Sequence, residues 1–525
     1  MLRRSYARII EGASRRRGSN FPKAPQNRPL AVWPSHRPSA CSWDLSSCSS
    51  EQKLRTSVTL RGQSGRQLST RQDFDFQLGR VQIDSILRAN EQSVSVPAFD
   101  GRERSLVRKF ESNNLAANTP NEDRRSAASC LQAKGTLFGV FDGHGGWACA
   151  QAVSERLLYY ITVAMMPKRS LEELETCAEQ GRPAPPILQW YKHRADFIHR
   201  DSASLYARHL RVFWQELLDS QEHGEGMCPA DAMHYAFKRL DADISLEAQV
   251  PLSNDLMKTT AIQVAFAGST ACVAHVGPEG IHVANSGDSR AVLGVQEADG
   301  SWSALALSQD HNCHNPTELE RIRAQHPPSE RQTVVTDDRL LGVLMPSRAF
   351  GDVRFKWSLE LQRSILASLE SSVDPDSLNL YHYTLPNYLT PPYLDAAPEV
   401  TYHKVRPQDR FLILGTDGLW DELRSQEAVR LVGEHLSGIH LQSPVSQSER
   451  QLKLGQLHQL LLRRQARAMP ASDGNAATHL IRHALGTGEY GDLCHERLAS
   501  MLALPQDLAR MYRDDITAIV VYLNT

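Results

Sequence analysis

The chain has 525 residues, 41% hydrophobic and 22% charged, an ordinary globular composition with ample material for a large core. Its 58 Lys and Arg against 60 Asp and Glu leave a formal net charge of -2, so neither the basic excess of a nucleic-acid binder nor an acidic solvating tail is present. No apolar run reaches the ~18 residues of a membrane span, and the nine cysteines lack C-x-x-C spacing, which reads as reduced thiols in a non-secretory compartment.

Taken in chain order, the first forty residues carry Arg3, Arg4, Arg8, Arg15, Arg16, Arg17, Arg28 and Arg37 against the lone acid Glu11. Leu2, Tyr6, Ile9, Ile10 and Ala13 fall roughly at helical spacing. An Arg-rich, acid-poor, amphipathic start is the composition of a mitochondrial transit peptide, here favoured over a basic tail; residues 1–70 are therefore expected to be targeting sequence and linker, and the protein a resident of the mitochondrial matrix. Residues 71–108 read as an adaptor with one brief helix around Val81, Ile83, Ile86 and Leu87.

From Lys109 to Thr525 short β-like runs alternate with amphipathic helices, predicting one large domain over 109–525. Predicted strands are Thr136–Phe141, Ala271–Val276, Gly280–Asn285, Ala291–Gln296, Arg410–Gly415 and Ile516–Leu523. Predicted helices are Cys149–Met166, Asp231–Gln249, Pro316–Gln325, Gln426–Leu436 and Ala476–Leu485. Three segments read as insertions, at about 167–228, 353–397 and 438–475; the second is punctuated by Pro375, Pro386, Pro391 and Pro392.

Acidic residues cluster where these strands end. Thr136–Phe141 runs into Asp142-Gly143-His144, Arg410–Gly415 into Thr416-Asp417-Gly418, and Asp514-Asp515 immediately precede Ile516–Leu523. Glu122-Asp123 stand before another short apolar run. A carboxylate at a strand end is held rigidly, and a neighbouring glycine lets a backbone carbonyl approach a cation. Oxygen ligands of this kind suit hard divalent ions such as Mg²⁺ or Mn²⁺, and several together predict a binuclear site. Asn285-Ser286-Gly287-Asp288-Ser289-Arg290 is open to two readings, a hairpin turn or an approach of Asp288 to the same metal edge. His311, Cys313 and His314 are too cramped for a zinc site and read as a surface turn into a helix. Gly268-Ser269-Thr270 lacks a nucleophile elbow and reads as close packing, and no P-loop or dinucleotide fingerprint occurs.

In sequence, Glu122-Asp123, DGHGG at 142–146, GST at 268–270, SGDSRA at 286–291, LSQDH at 307–311, RAFGD at 348–352, GTDGLWD at 415–421 and RDDIT at 513–517 resemble the metal-dependent, 2C-type protein phosphatase family. The resemblance covers about 110–525. It implies an α+β fold, an αββα sandwich of two mainly antiparallel sheets flanked by helices, with family-specific insertions. It implies that water activated by two Mg²⁺ or Mn²⁺ ions attacks phosphoserine, with room for a third ion. Asp142 then matches the bridging aspartate, Gly143 a carbonyl ligand, and Asp417 and Asp514 further carboxylates; Glu122 and Asp123 serve the second ion, directly or through waters. His144 matches the acid that protonates the leaving group. Asn118 stands where many members have a phosphate-gripping arginine, and Asp515 where asparagine is commoner; Asn118 is carried as the phosphate-binding position, with neutral hydrogen bonds, another basic residue or the metals supplying the grip. NEDRRSAASC at 121–130, PILQWYKH at 186–193 and DRLLGVLMPSRAFGDVRFKW at 338–357 narrow the likeness to the mitochondrial branch acting on the pyruvate dehydrogenase complex. That branch implies the phosphorylated pyruvate dehydrogenase component as substrate and a lipoyl domain of the acetyltransferase core as docking partner. It leaves open a regulatory subunit and a part for Ca²⁺ in docking.

Overall fold

The computed structural model describes residues 78–96, 105–193, 196, 203–220, 224–250, 255–368, 385–437, 473–488 and 493–525. The predicted transit peptide, the middle of the second insertion and nearly all of the third lie outside the described residues. The chain divides into two units, one of Ser69–Thr176 with Pro185–Thr525 and one of Met1–Leu68 with Cys177–Ala184. In the latter only 177–184 are described, the end of the helix Lys168–Glu179 and the turn after it, where Arg182 N–H donates to Cys177 O at 2.9 Å.

Two six-stranded sheets, antiparallel at every pairing, form the centre of the larger unit. The first is ordered Gln92–Ser95, Val107–Leu115, Ile516–Leu523, Asp409–Gly415, Arg290–Gln296, Trp302–Ala306. The second is ordered Glu399–His403, Gly280–Ser286, Ala271–Gly277, Thr136–Phe141, Arg124–Cys130, Leu188–Trp190. Side chains alternate across a strand, so an apolar run buried on both faces must have a layer on each side. In Ile516–Leu523, Ile519, Val521 and Leu523 join Phe138, Cys272, Ala274 and Leu293 between the sheets. Ile516, Ala518, Val520 and Tyr522 join the helices Arg80–Arg88, Ser425–Ser437, Ala476–Gly486 and His495–Leu502 on the outside. Each such aliphatic side chain contributes about 1.5–3 kcal/mol. The helices Ala148–Met165 and Pro229–Glu247 pack together on the second sheet, completing the αββα sandwich.

Every predicted strand and helix is present within a residue or two. The adaptor segment is built into these layers: its helix buries Ile83 and Leu87, and Gln92–Ser95 pairs with Val107–Leu115. The first insertion contains the helix Ala203–Asp219, which buries Leu210, Phe213 and Trp214. All seven cysteines among the described residues are free thiols, and no described helix is long and apolar enough to cross a membrane.

A third apolar cluster, around Ile322, Leu340, Phe355 and Tyr393, supports the loop 347–352. Within it Glu318 is buried and accepts hydrogen bonds from Arg321, Arg348 and Ser347. Burial alone would raise its carboxyl pKa; the Arg348 and Arg321 guanidiniums outweigh that and hold it well below the usual range. A depressed folded-state value means stability that is present above the unfolded value of about 4.3 and lost as pH falls. Glu318→Gln should therefore lower the thermal midpoint at pH 7, by on the order of 3 kcal/mol of stability. The gap to wild type should narrow in melts taken toward pH 3; a gap constant with pH would exclude this origin.

Candidate metal centre

The carboxylates meet at one end of the sandwich, in the seam between the sheets. Asp142 follows the second-sheet strand Thr136–Phe141, Asp417 follows the first-sheet strand Asp409–Gly415, and Asp514-Asp515 lead into its neighbour Ile516–Leu523. The strands flanking Asp288 belong to different sheets, Gly280–Ser286 to the second and Arg290–Gln296 to the first. The hairpin alternative is thereby excluded: the chain crosses between sheets at 287–289 and carries Asp288 into the seam. Asp142, Asp288 and Asp417 each offer an oxygen within 4.8 Å of the others, the one such group among the described residues.

Like charges this close cannot all ionise without a counter-ion. Burial first, then Asp417, Asp123 and Asp288, push the Asp142 carboxyl well above the usual range. Burial and Asp417 do the same to Asp288, and raise Asp514 to about 6. Burial and Asp515 raise Glu122 and Asp123. Asp417 Oδ1 is buried with no hydrogen-bond partner. An orphaned carboxylate oxygen amid other carboxylates is what a divalent cation would satisfy, so the residues present fit such an ion. The surroundings are fixed by short bonds: Thr270 N–H donates to Asp142 O (2.8 Å), and Thr416 Oγ1 donates to Asp123 (2.8 Å) while accepting from Thr517 N–H (3.0 Å). Gly143 admits no side chain, since a Cβ there would lie 2.5 Å from Glu122 O.

Glu122, Asp123 and Asp514 border the three-carboxylate group without belonging to it. Asn118 is placed differently from a phosphate-gripping arginine: its amide donates to Asp515 Oδ2 at 3.0 Å. Asp515 is buried and also accepts from the backbone N–H groups of Ala117, Asn118 and Glu122. The extra charge at this position thus organises the loop that carries Glu122.

His144 is held by a partner the sequence reading did not single out. Three two-residue strands, Gly143–His144, Gly268–Ser269 and Phe350–Gly351, form a small sheet with Gly268 in the middle. His144 Nε2 and Asp352 Oδ2 meet across Gly268 at 2.6 Å. Asp352 itself is left-handed (φ 49°), with its N–H on Ala267 O, and Asp241 anchors the loop through Gly351 N–H and Lys356 Nζ. Burial lowers the imidazole's proton affinity, but Asp352, Asp288 and Glu122 outweigh it and raise the pKa, favouring the protonated ring. RAFGD at 348–352 was the signal that could have found Asp352. The small-residue reading of Gly268 is accounted for: a Cβ would fall 2.0 Å from His144 Nε2 and 2.3 Å from Asp352 Oδ2. Gly268→Ala should therefore displace His144 and cost activity on phosphoserine peptide at least about tenfold, with aryl phosphate much less affected. Parallel assays on the two substrates, alongside a thermal melt, check this; unchanged peptide activity would mean the pair is catalytically idle.

His311 is a buried latch, where a surface turn was expected. Its N–H donates to Gly287 O (2.9 Å), its O accepts from Ser347 N–H (2.8 Å), and Nε2 lies 3.2 Å from Glu399. Cys313 is buried in the third cluster while His314 is exposed, so they share no ligand geometry, and the helix Pro316–Gln325 follows as predicted.

The profile of the protein phosphatase 2C family matches residues 194–455. The chain is 55% identical to "[Pyruvate dehydrogenase [acetyl-transferring]]-phosphatase 1, mitochondrial" of Pongo abelii, over 88% of this chain and 86% of that one. It is 53% identical to the human "[Pyruvate dehydrogenase [acetyl-transferring]]-phosphatase 2, mitochondrial", over the same shares of the two chains. With a phosphatase 1 of that name from Saccharomyces cerevisiae it shares 26% identity over 84% of this chain and 74% of the relative.

Proposed function

Because the chain belongs to the protein phosphatase 2C family, whose members are metal-dependent phosphatases, we propose that it removes phosphate from serine on the pyruvate dehydrogenase component in the mitochondrial matrix and so reactivates the complex. The chemistry rests on one observation, the convergence of Asp142, Asp288 and Asp417 around an orphaned carboxylate oxygen. The substrate rests on the identity with relatives named for that dehydrogenase.

Asp142, the Gly143 carbonyl, Asp417 and Asp514 would hold one Mg²⁺ or Mn²⁺, and Asp142 with Glu122 and Asp123 a second, directly or through waters. Asp288 sits where it can serve a third. Such ions supply a water nucleophile at neutral pH and offset the charge on the phosphoryl oxygens. His144, protonated and oriented by Asp352, donates to the serine oxygen as it leaves; its ring is 27% exposed, so a leaving group can reach it. The attacking group in this reading is water, so no covalent phosphoenzyme is required. Residues 1–70 act as the import signal in this reading, and a lipoyl domain of the acetyltransferase core is the docking partner.

The test is phosphate release from phosphorylated pyruvate dehydrogenase and from another phosphorylated matrix dehydrogenase, with Mg²⁺, Mn²⁺ or chelator. Metal-dependent release strongly favouring the first supports both chemistry and substrate. Equal release from both would remove the substrate assignment, and no release under either metal would remove the function.

A further inference from the structure

Asp142, Asp288 and Asp417 meet in the seam, and Asp123 and Asp514 add acidic charge beside them, yet the proposed substrate is a phosphate dianion. A guanidinium is the side chain best matched to that group. Four arginines stand near the carboxylates among the described residues, and three are committed. Arg124 donates to Gln151 and to the carbonyls of Asn121 and Asp123. Arg290 grips Asp310 through two nitrogens. Arg513 donates to Ala116 O and Asp514 O. Arg510 differs: its side chain is 55% exposed, and its one ion pair among the described residues is with Asp514, Nη1 to Oδ2 at 2.6 Å.

Arg510 is also placed by the backbone. Pro505 opens a short helical turn, Gln506–Ala509, in which Ala509 is buried and Arg513 N–H closes on Ala509 O. That turn fixes Arg510 one helical turn before Asp514, at the rim of the site, and its charge is felt at Glu122 as well. A half-exposed ion pair is weak, so the guanidinium can turn from Asp514 to an incoming anion at little cost. One N–H of the Asn118 amide is taken by Asp515, and the side chain carries no charge to match a phosphate dianion.

We propose that Arg510 is the substrate-binding residue that takes the phosphate oxygens of the phosphoserine at the mouth of the metal centre. This rests on the phosphatase reading above and adds a charged phosphate-binding side chain to the neutral Asn118. The test compares wild type, Arg510→Ala and Arg510→Lys, each full chain and Mn²⁺-saturated. Calorimetry with inorganic phosphate measures binding without turnover, and kinetics on a phosphoserine peptide measure KM and kcat. Arg510→Ala should weaken phosphate binding and raise KM about tenfold each, as loss of one charge-assisted bond implies. Arg510→Lys should recover part of both, with the thermal midpoint and the Mn²⁺ concentration for half-maximal activity unchanged. Wild-type phosphate affinity and KM in Arg510→Ala would overturn the assignment. So would a rise confined to the Mn²⁺ requirement, which would make Arg510 only a holder of Asp514. A wild type that binds phosphate through Arg510 but hydrolyses no phosphopeptide would keep this assignment and sink the phosphatase reading.

Discussion

Asp142→Asn should lower metal-dependent phosphatase activity by at least about 100-fold while making the metal-free protein more stable. The loss follows from position: Asp142 is common to both proposed ions, and even residues one bond removed from a metal are worth about 10–100-fold. The gain follows from the same crowding. Burial, Asp417, Asp123 and Asp288 all oppose the charged form of Asp142, and an asparagine of equal shape removes one like charge while still able to donate to Asp417. A rise of about 1–2 °C in the thermal midpoint is expected in chelator. Added Mn²⁺ should reverse the order, since wild type gains about 2.7 kcal/mol at a hundredfold excess over its Kd and the variant loses most of that. Near wild-type activity, or an intact Mn²⁺ shift in the variant, would remove Asp142 from the metal site.

His144→Ala should slow a phosphoserine peptide by about 100–1000-fold, in the range assigned to general acids, and an aryl phosphate by less than about tenfold. A serine alkoxide needs a proton as it leaves, whereas a phenolate of low pKa hardly does. Asp352→Asn should reproduce the same substrate bias at smaller size, about tenfold on the peptide, because the 2.6 Å contact orients the ring and favours its protonated form. The ratio of the two rates is the reading that matters, for a general loss of folding would lower both alike. Equal losses on peptide and aryl ester in either variant would exclude proton donation by this pair.

Much of the architecture was legible because its signals are local. Thr136–Phe141, Asp409–Gly415 and Ile516–Leu523 are mostly apolar strands buried on both faces, and their ends lie next to Asp142, Asp417 and Asp514. The order of the acidic motifs then pointed to one chemistry and one family. What was not legible lies where buried residues are polar. Val107–Leu115 (VRKFESNNL) and Arg124–Cys130 (RRSAASC) are central strands with little strand propensity. They are stabilised by partners far along the chain. Glu111 accepts from Ala476 N–H and Tyr522 Oη, Asn113 donates to Leu87 O and Thr478 Oγ1, and Ser126 donates to Ser154 O.

The site divides along the same line. Residue type and strand-end position singled out Asp142, Asp417 and Asp514, and the first two meet in the three-carboxylate group. The crossing that carries Asp288 between sheets, the Asp352 carboxylate on His144 and the turn of Asn118 toward Asp515 emerged only once the chain was folded. Each joins segments tens to hundreds of residues apart through a hydrogen bond or a shared seam. Such contacts leave no periodicity in the sequence, because what fixes them is the need of a buried polar group for a partner, whichever part of the chain supplies it.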